Sequence, residues 1–119
     1  MQDFRSLKVW EKGHQFTLAV YKTTKSFPKE ELFGLTSQIR RSSASIPANI
    51  AEGCGRGSDS DFGRFLQIAM GSASEVEYHL VLSRDLGYLQ PSDHDRLTAD
   101  VIELKRMLAT LLRKVKADS

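Results

Sequence analysis

The sequence predicts an all-α protein, an antiparallel up-down-up-down four-helix bundle, on three observations. Four segments space their apolar residues three and four apart, the period of a helix that buries one stripe. Short stretches bearing proline or glycine separate them, and short connections make neighbouring helices antiparallel. No strand-period alternation, internal repeat or low-complexity linker interrupts the pattern. With 119 residues, 40% hydrophobic and 27% charged, the chain suits one domain, 1–119, with its own core.

The first helix is predicted over about 6–25. Val9, Gly13, Phe16, Val20 and Phe27 fall on one stripe, with Trp10 and Tyr21 beside it. Those two aromatics read as core rather than as partner surface, because aromatics at this period pack. Ser26-Phe27-Pro28 ends the helix, since proline pushes the residue before it out of the α region.

The second helix is predicted over about 29–53, with Pro28 suited to its first turn and Glu30 and Glu31 facing the dipole. Leu35, Ile39, Ser43, Ile46, Ile50 and Cys54 make its buried stripe. Pro47 lies inside this pattern, removes a backbone donor and crowds the Ser43 carbonyl, so a kink is expected. The small residues Ser42 to Ser45 allow a close neighbour, and their hydroxyls are candidate donors to the freed carbonyl. Gly53 is the expected left-handed cap.

The third helix is predicted over about 59–86, capped by Ser58-Asp59-Ser60-Asp61. Phe62, Leu66, Ala69, Ala73, Val76, Leu80 and Ser83 form a bundle seam, flanked by Phe65, Ser72, His79 and Leu86. Its small residues, Ala69 and Gly71 to Ser74, are placed to meet those of the second helix. The fourth helix is predicted over about 92–116, with Ser92 as cap and Asp93 and Asp95 in its first turn. Leu97, Val101, Leu104, Leu108, Leu111 and Val115 line its buried side. Lys105, Arg106, Arg113, Lys114 and Lys116 make its C-terminal half basic, which suits the helix dipole and also a phosphate-binding face.

Composition narrows function. A net charge of +2 is too mild to argue for nucleic acid by itself, so any basic surface must come from clustering or oligomerisation. The single cysteine, Cys54, excludes an intrachain disulfide. No apolar leader or membrane-length apolar run is present, and a cytoplasmic protein without membrane contact is expected. His14, His79 and His94 fall on three different helices without the Glu-x-x-His pairs of a di-iron bundle, so no metal and no cofactor are expected. Cys54 ends a helix, where the dipole opposes a thiolate. No catalytic residue stands out, and the chain is not expected to be an enzyme.

The most polar stretch is Gln38 to Gly57, QIRRSSASIPANIAEGCGRG. Arg41, Ser45, Ala48 and Glu52 share one helix face, Asn49 adjoins it, and Arg56 follows one turn on. Two accounts fit. In one, Arg40 and Arg41 pair with acidic groups such as Glu52 or Glu75, and Asn49 caps backbone freed by Pro47; Arg41, Ser45, Asn49, Glu52 and Glu75 are then an oligomer network. In the other, Arg40, Arg41 and Arg56, with Lys105, Arg106, Arg113 and Lys114, meet the phosphates of RNA or DNA. The glycines from Gly53 to Gly57 serve a turn first and an anion second, because neither a preceding strand nor the P-loop lysine is present.

Several strings together resemble a known family: Phe4-Arg5-x-Leu7-x-Val9-Trp10, Phe33-Gly34-Leu35-x-x-Gln38-Ile39-Arg40-Arg41, Ser45-Ile46-Pro47-Ala48-Asn49-Ile50-Ala51-Glu52-Gly53 and Asp85-Leu86-Gly87-Tyr88. They are similar to the four-helix-bundle proteins of the 23S rRNA intervening-sequence type over nearly the whole chain. That family is in turn similar in fold to the accessory protein of diversity-generating retroelements, a pentameric bundle that binds nucleic acid and a reverse transcriptase. The resemblance implies a non-enzymatic homo-oligomer, a pentamer, with RNA, DNA or another protein as partner. Gly13 stands where alanine is more usual in the family, and Ser42, Ser43 and Ala73 also depart from its pattern.

Overall fold

Burial follows the four stripes with few exceptions. The computed structural model describes residues 2–118. It holds α1 (Lys8–Thr23), α2 (Leu35–Cys54), α3 (Asp59–Asp85) and α4 (Pro91–Asp118), and no strand among the described residues. Helix α1 packs on α2 and α4, and α3 packs on the same two, which closes a four-helix bundle. The core runs along the middle, from Val9, Phe16 and Val20 through Ile39, Ile46, Ile50, Leu66, Val76 and Leu80 to Leu97, Leu104 and Leu108. On α4 the buried residue of the penultimate turn is Leu112, with Leu111 only half-buried.

Helix ends differ from expectation for local reasons. Helix α2 begins at Leu35, not at the expected residue 29. Lys29–Glu31 form a separate 3-10 turn, and the Glu31 carboxylate then folds back to accept the Leu35 amide at 3.1 Å. A Cβ on Gly34 would lie 2.8 Å from that carboxylate oxygen, so glycine leaves room for this cap. The other Glu31 oxygen accepts the Tyr88 hydroxyl at 3.1 Å, which ties the α1–α2 connection to the α3–α4 turn. Helix α1 is flanked by 3-10 turns at Phe4–Ser6 and Thr24–Ser26.

Gly53 is not a left-handed cap. Helix α2 runs on to Cys54, and Gly55 follows with φ −81°. Gly53 instead faces α3, where a Cβ would lie 2.9 Å from Phe62 Cδ1 and 3.0 Å from Phe65 Cβ. The left-handed glycine is Gly87, at φ 81°. The Gly87 and Tyr88 amides return to the Arg84 and Ser83 carbonyls, the paired bonds that close a helix end of this kind. Ser58 caps α3 as expected, its hydroxyl accepting the Asp61 amide at 3.1 Å. Ser92 lies inside the first turn of α4, one residue past its start at Pro91, and so is not the cap.

Pro47 sits inside a continuous helix. A proline there typically costs about 3 kcal/mol, partly through the carbonyl it orphans. That carbonyl, on Ser43, lies 3.0 Å from the buried Thr17 hydroxyl of α1, which shares its one proton between it and the Gly13 carbonyl at 2.8 Å. The serines of α2 do not take it: Ser42 donates to its own helix at Gln38, and Ser43 to Arg40. The same α1 stripe lies close against the proline, since a Cβ on Gly13 would meet Ile46 and Pro47 at 3.5 and 3.6 Å.

Candidate functional site

The polar residues of α2 divide between two neighbours. Toward α1, Arg40 donates to the Thr24 hydroxyl at 2.8 Å and to the Tyr21 carbonyl at 3.4 Å, with its guanidinium 4.9 Å over the Tyr21 ring. The cation thus sits at the C-terminal end of α1, where the dipole favours it. Tyr21 is accordingly 42% exposed and not a core aromatic, whereas Trp10 is half-buried and packs against the core.

Toward α3, small hydroxyls meet. Ser45 and Ser72 hydroxyls lie 2.8 Å apart, and Asn49 donates to both the hydroxyl and the carbonyl of Ser45 at 2.8 Å. Asn49 therefore braces the α2–α3 contact instead of capping the carbonyl that Pro47 frees. Ser42 meets His79 Nδ1 at 3.3 Å, and the far side of the ring faces Glu75 at 3.8 Å. Burial disfavours a charged ring and lowers the His79 pKa, against the smaller opposing pull of Glu75. A neutral imidazole leaves the exposed Glu75 carboxylate without a countercharge.

The expected pairs of Arg40 or Arg41 with Glu52 or Glu75 do not form. Glu52 pairs with Arg56 one turn on, at 3.3 Å. Arg41 is exposed and makes no ion pair or hydrogen bond among the described residues. Arg41 and Ala48 lie one turn to either side of Ser45 on α2, and Glu75 and the 42%-exposed Ile68 one turn to either side of its partner Ser72 on α3. Tyr78, three residues past Glu75, is 59% exposed.

Lys8, Arg56, Arg64, Arg106, Arg113 and Lys114 lie toward the end opposite the Glu31–Tyr88 tie, where α1 begins, α2 turns into α3 and α4 ends. Two adjoining concavities of about 280 and 300 Å³ lie there, and Leu7, Leu111 and Lys114 line both. The first also touches Arg56, Ser58, Cys54 and Phe62 together with the carboxylates Asp59 and Asp118, and the second Lys8 and Arg106 with no acidic residue. Arg56 and Arg64 lie 4.9 and 4.5 Å over the Phe65 ring. The Gly55 and Arg56 amides bond α2 carbonyls, which removes the two amides best placed for an anion in the glycine-rich turn. Burial raises the pKa of the Cys54 thiol, as expected of a packing residue.

On α4 the cations divide again. Lys105 is held by Glu77 of α3 at 3.0 Å, and Arg106 by Glu103 on its own helix. That bond keeps the Glu103 carboxyl below its ordinary range. Arg113 makes one 3.4 Å bond to Thr110, and Lys114 makes no ion pair. His14 stacks on Trp10 at 5.2 Å, and His94 bonds Asp95 and Thr98, so the three histidines stay apart with separate partners.

Among the residues singled out from sequence, Arg56, Arg106 and Lys114 converge at the basic end, and Ser45 and Asn49 with Glu75 at the α2–α3 face. Arg40 belongs to neither. Sequence reading missed Lys8, Arg64, Thr17 and Thr24. Thr17 carried a signal, a hydroxyl four residues from Gly13 on the buried stripe, yet its acceptor lies 26 residues away.

Comparison with known proteins places the chain. The model of the 23S rRNA-intervening sequence protein family matches residues 5–110, and the chain belongs to that family. The chain is also similar to a solved protein of unknown function from the S23 ribosomal protein family of Bacteroides thetaiotaomicron. That structure has 30% identity and a TM-score of 0.82, over 88% of this chain and 95% of the other. No curated protein matches it. No described helix is long and apolar enough to cross a membrane.

Proposed function

We propose that this member of the 23S rRNA-intervening sequence protein family is a non-enzymatic cytoplasmic adaptor that self-associates through its α2–α3 face and binds nucleic acid through cations repeated by that assembly. Arg41 carries the reading. It is an exposed guanidinium with no ion pair or hydrogen bond among the described residues, on the face where Glu75 also lacks a countercharge. Between copies, the two complete each other. Ile68, Ala48 and Tyr78 supply exposed apolar area, and the Ser45–Ser72–Asn49 bonds keep the face flat and fixed. A ring, with a pentamer as its size, is the assembly implied by the sequence resemblance to a family similar in fold to the accessory protein of diversity-generating retroelements.

Nucleic-acid contact is carried by Arg56, Arg113 and Lys114, which remain on the surface at the basic end. One patch of this size binds weakly, and repetition around an oligomer converts weak contacts into avidity. Arg56 keeps only the exposed pair with Glu52 at 3.3 Å, whereas Arg40 and Lys105 are held by neighbouring helices and Arg106 by two bonds to Glu103, so these three contribute less.

The assembly arm is tested by sizing chromatography with light scattering. Arg41→Ala is expected to lower the mass, and an unchanged mass would remove the α2–α3 face from the reading. For nucleic acid, wild type and Arg56→Ala plus Arg113→Ala are titrated with single-stranded RNA and duplex DNA at two salt concentrations. Binding should weaken with salt and in the variant. Binding indifferent to both leaves only the protein-assembly module.

A further inference from the structure

We propose that the groove between the start of α1 and the last third of α4 receives Phe33 of a second copy of this chain, in a head-to-tail contact. Phe33 is 94% exposed and the adjacent Leu32 49%, an unusual position for so much apolar area. The turn that carries them is not loose. Glu31 fixes it from both sides, to the Leu35 amide and the Tyr88 hydroxyl. Phe33 is therefore a knob held out at one end of the bundle, already ordered before any partner arrives.

The groove has the opposite chemistry. Its floor is Leu7, Val9, Met107 and Leu111, and its rim is Lys8, Arg106 and Lys114, with no acidic side chain lining it. At about 300 Å³ it has room for one aromatic side chain. Arg106 is held by Glu103, but Lys8 and Lys114 make no ion pair. Beside the knob, Glu30 is exposed and Glu31 adds a second carboxylate; with Lys29 the segment from 29 to 33 carries a formal charge of −1. An apolar anchor with acidic flanks meets an apolar floor with basic flanks.

The knob cannot reach its own groove. The bundle is 45 Å long, and the two features lie at opposite ends. Because different surfaces meet, each contact leaves one groove and one knob open, so the association propagates to a ring or a filament and does not stop at a twofold dimer. The contact uses neither Arg41 nor the α2–α3 face and does not depend on that assembly, although it competes with nucleic acid for Lys114.

The test mixes equal amounts of unlabelled and isotope-labelled full-length chain and treats them with a carbodiimide, which joins a carboxylate to an amine without a spacer. Mass spectrometry should find Glu30 linked to Lys8 or Lys114 between a labelled and an unlabelled chain. Phe33→Ala, a change at a solvent-exposed side chain, should reduce that product about ten-fold, the effect of removing one interface anchor. A second measurement pairs Phe33→Ala, which keeps the groove, with Lys8→Glu plus Lys114→Glu, which keeps the knob. The lysine variant alone should give none and Phe33→Ala alone about a tenth, and their mixture should restore it. Absence of mixed-label products in wild type, attachment of Glu30 outside the groove, or a yield indifferent to Phe33→Ala overturns the proposal.

Discussion

Helix α2 meets its two neighbours in different ways, and two glycines measure the difference. At the α2–α3 contact, a Cβ on Gly53 would come within 3.0 Å of the Phe62 and Phe65 side chains. At the α1–α2 contact, a Cβ on Gly13 would find Ile46 and Pro47 no nearer than 3.5 Å, an ordinary contact. The first contact is closed by close approach and by hydroxyls that bridge helices. The second is closed by Thr17 over a proline and by Arg40 on Thr24 and Tyr21, and it keeps space for a methyl group beside Gly13. The tight contact specifies register, and the looser one tolerates change.

The largest expected effect breaks the tight side. Gly53→Ala should cost about 1–3 kcal/mol, as overpacking does, seen as a lower urea midpoint. An effect near zero would mean that the α2–α3 end repacks freely.

Thr17→Val probes the looser side at its buried polar bond. It leaves the buried Ser43 carbonyl without a donor, at about 1–3 kcal/mol. In a Pro47→Ala background position 47 regains its amide, so the same substitution should cost clearly less. Equal costs in both backgrounds would show that Thr17 acts by packing alone.

A pH titration returns to the tight side. Burial holds the His79 pKa below its ordinary 6.5, so the unfolded chain binds the proton more readily. The stability this contributes is fully present above about 6.5 and is lost as pH falls toward the folded value. Chemical denaturation followed between neutral and mildly acid pH should show the fall, and His79→Gln should flatten it.

The smallest effect is a gain. Gly13→Ala should raise stability by about 0.5–1 kcal/mol, since the helix interior favours alanine and the contact has room. A loss would place α1 closer to Pro47 than the distances here indicate.

Much of this fold was legible in the chain. The helical period marked Val9, Phe16 and Val20 on α1, Ile39, Ile46 and Ile50 on α2, and Leu97, Val101 and Leu104 on α4, and all are buried. Ser58 read correctly as a cap because its acceptor role reaches only three residues. The start of α2 did not read correctly, because the Glu31 cap excludes the residues that its own charge suggested were helical. The site was less legible. Arg40 and Arg41 are adjacent and chemically identical, yet one is bound to Thr24 and the other faces solvent.

By itself, then, the sequence determined four helices, their buried stripes and a polar face on α2, because the helical period is local and repeats every few residues. Only the tertiary structure decided which polar group meets which. The Ser43 carbonyl finds Thr17, Ser45 finds Ser72, and Lys8 comes to lie across a groove from Lys114. Those partners are set by how the helices cross and slide, and one residue of register moves a side chain by about 100° around its helix. The bonds are short-ranged and directional, so that register alone selects them.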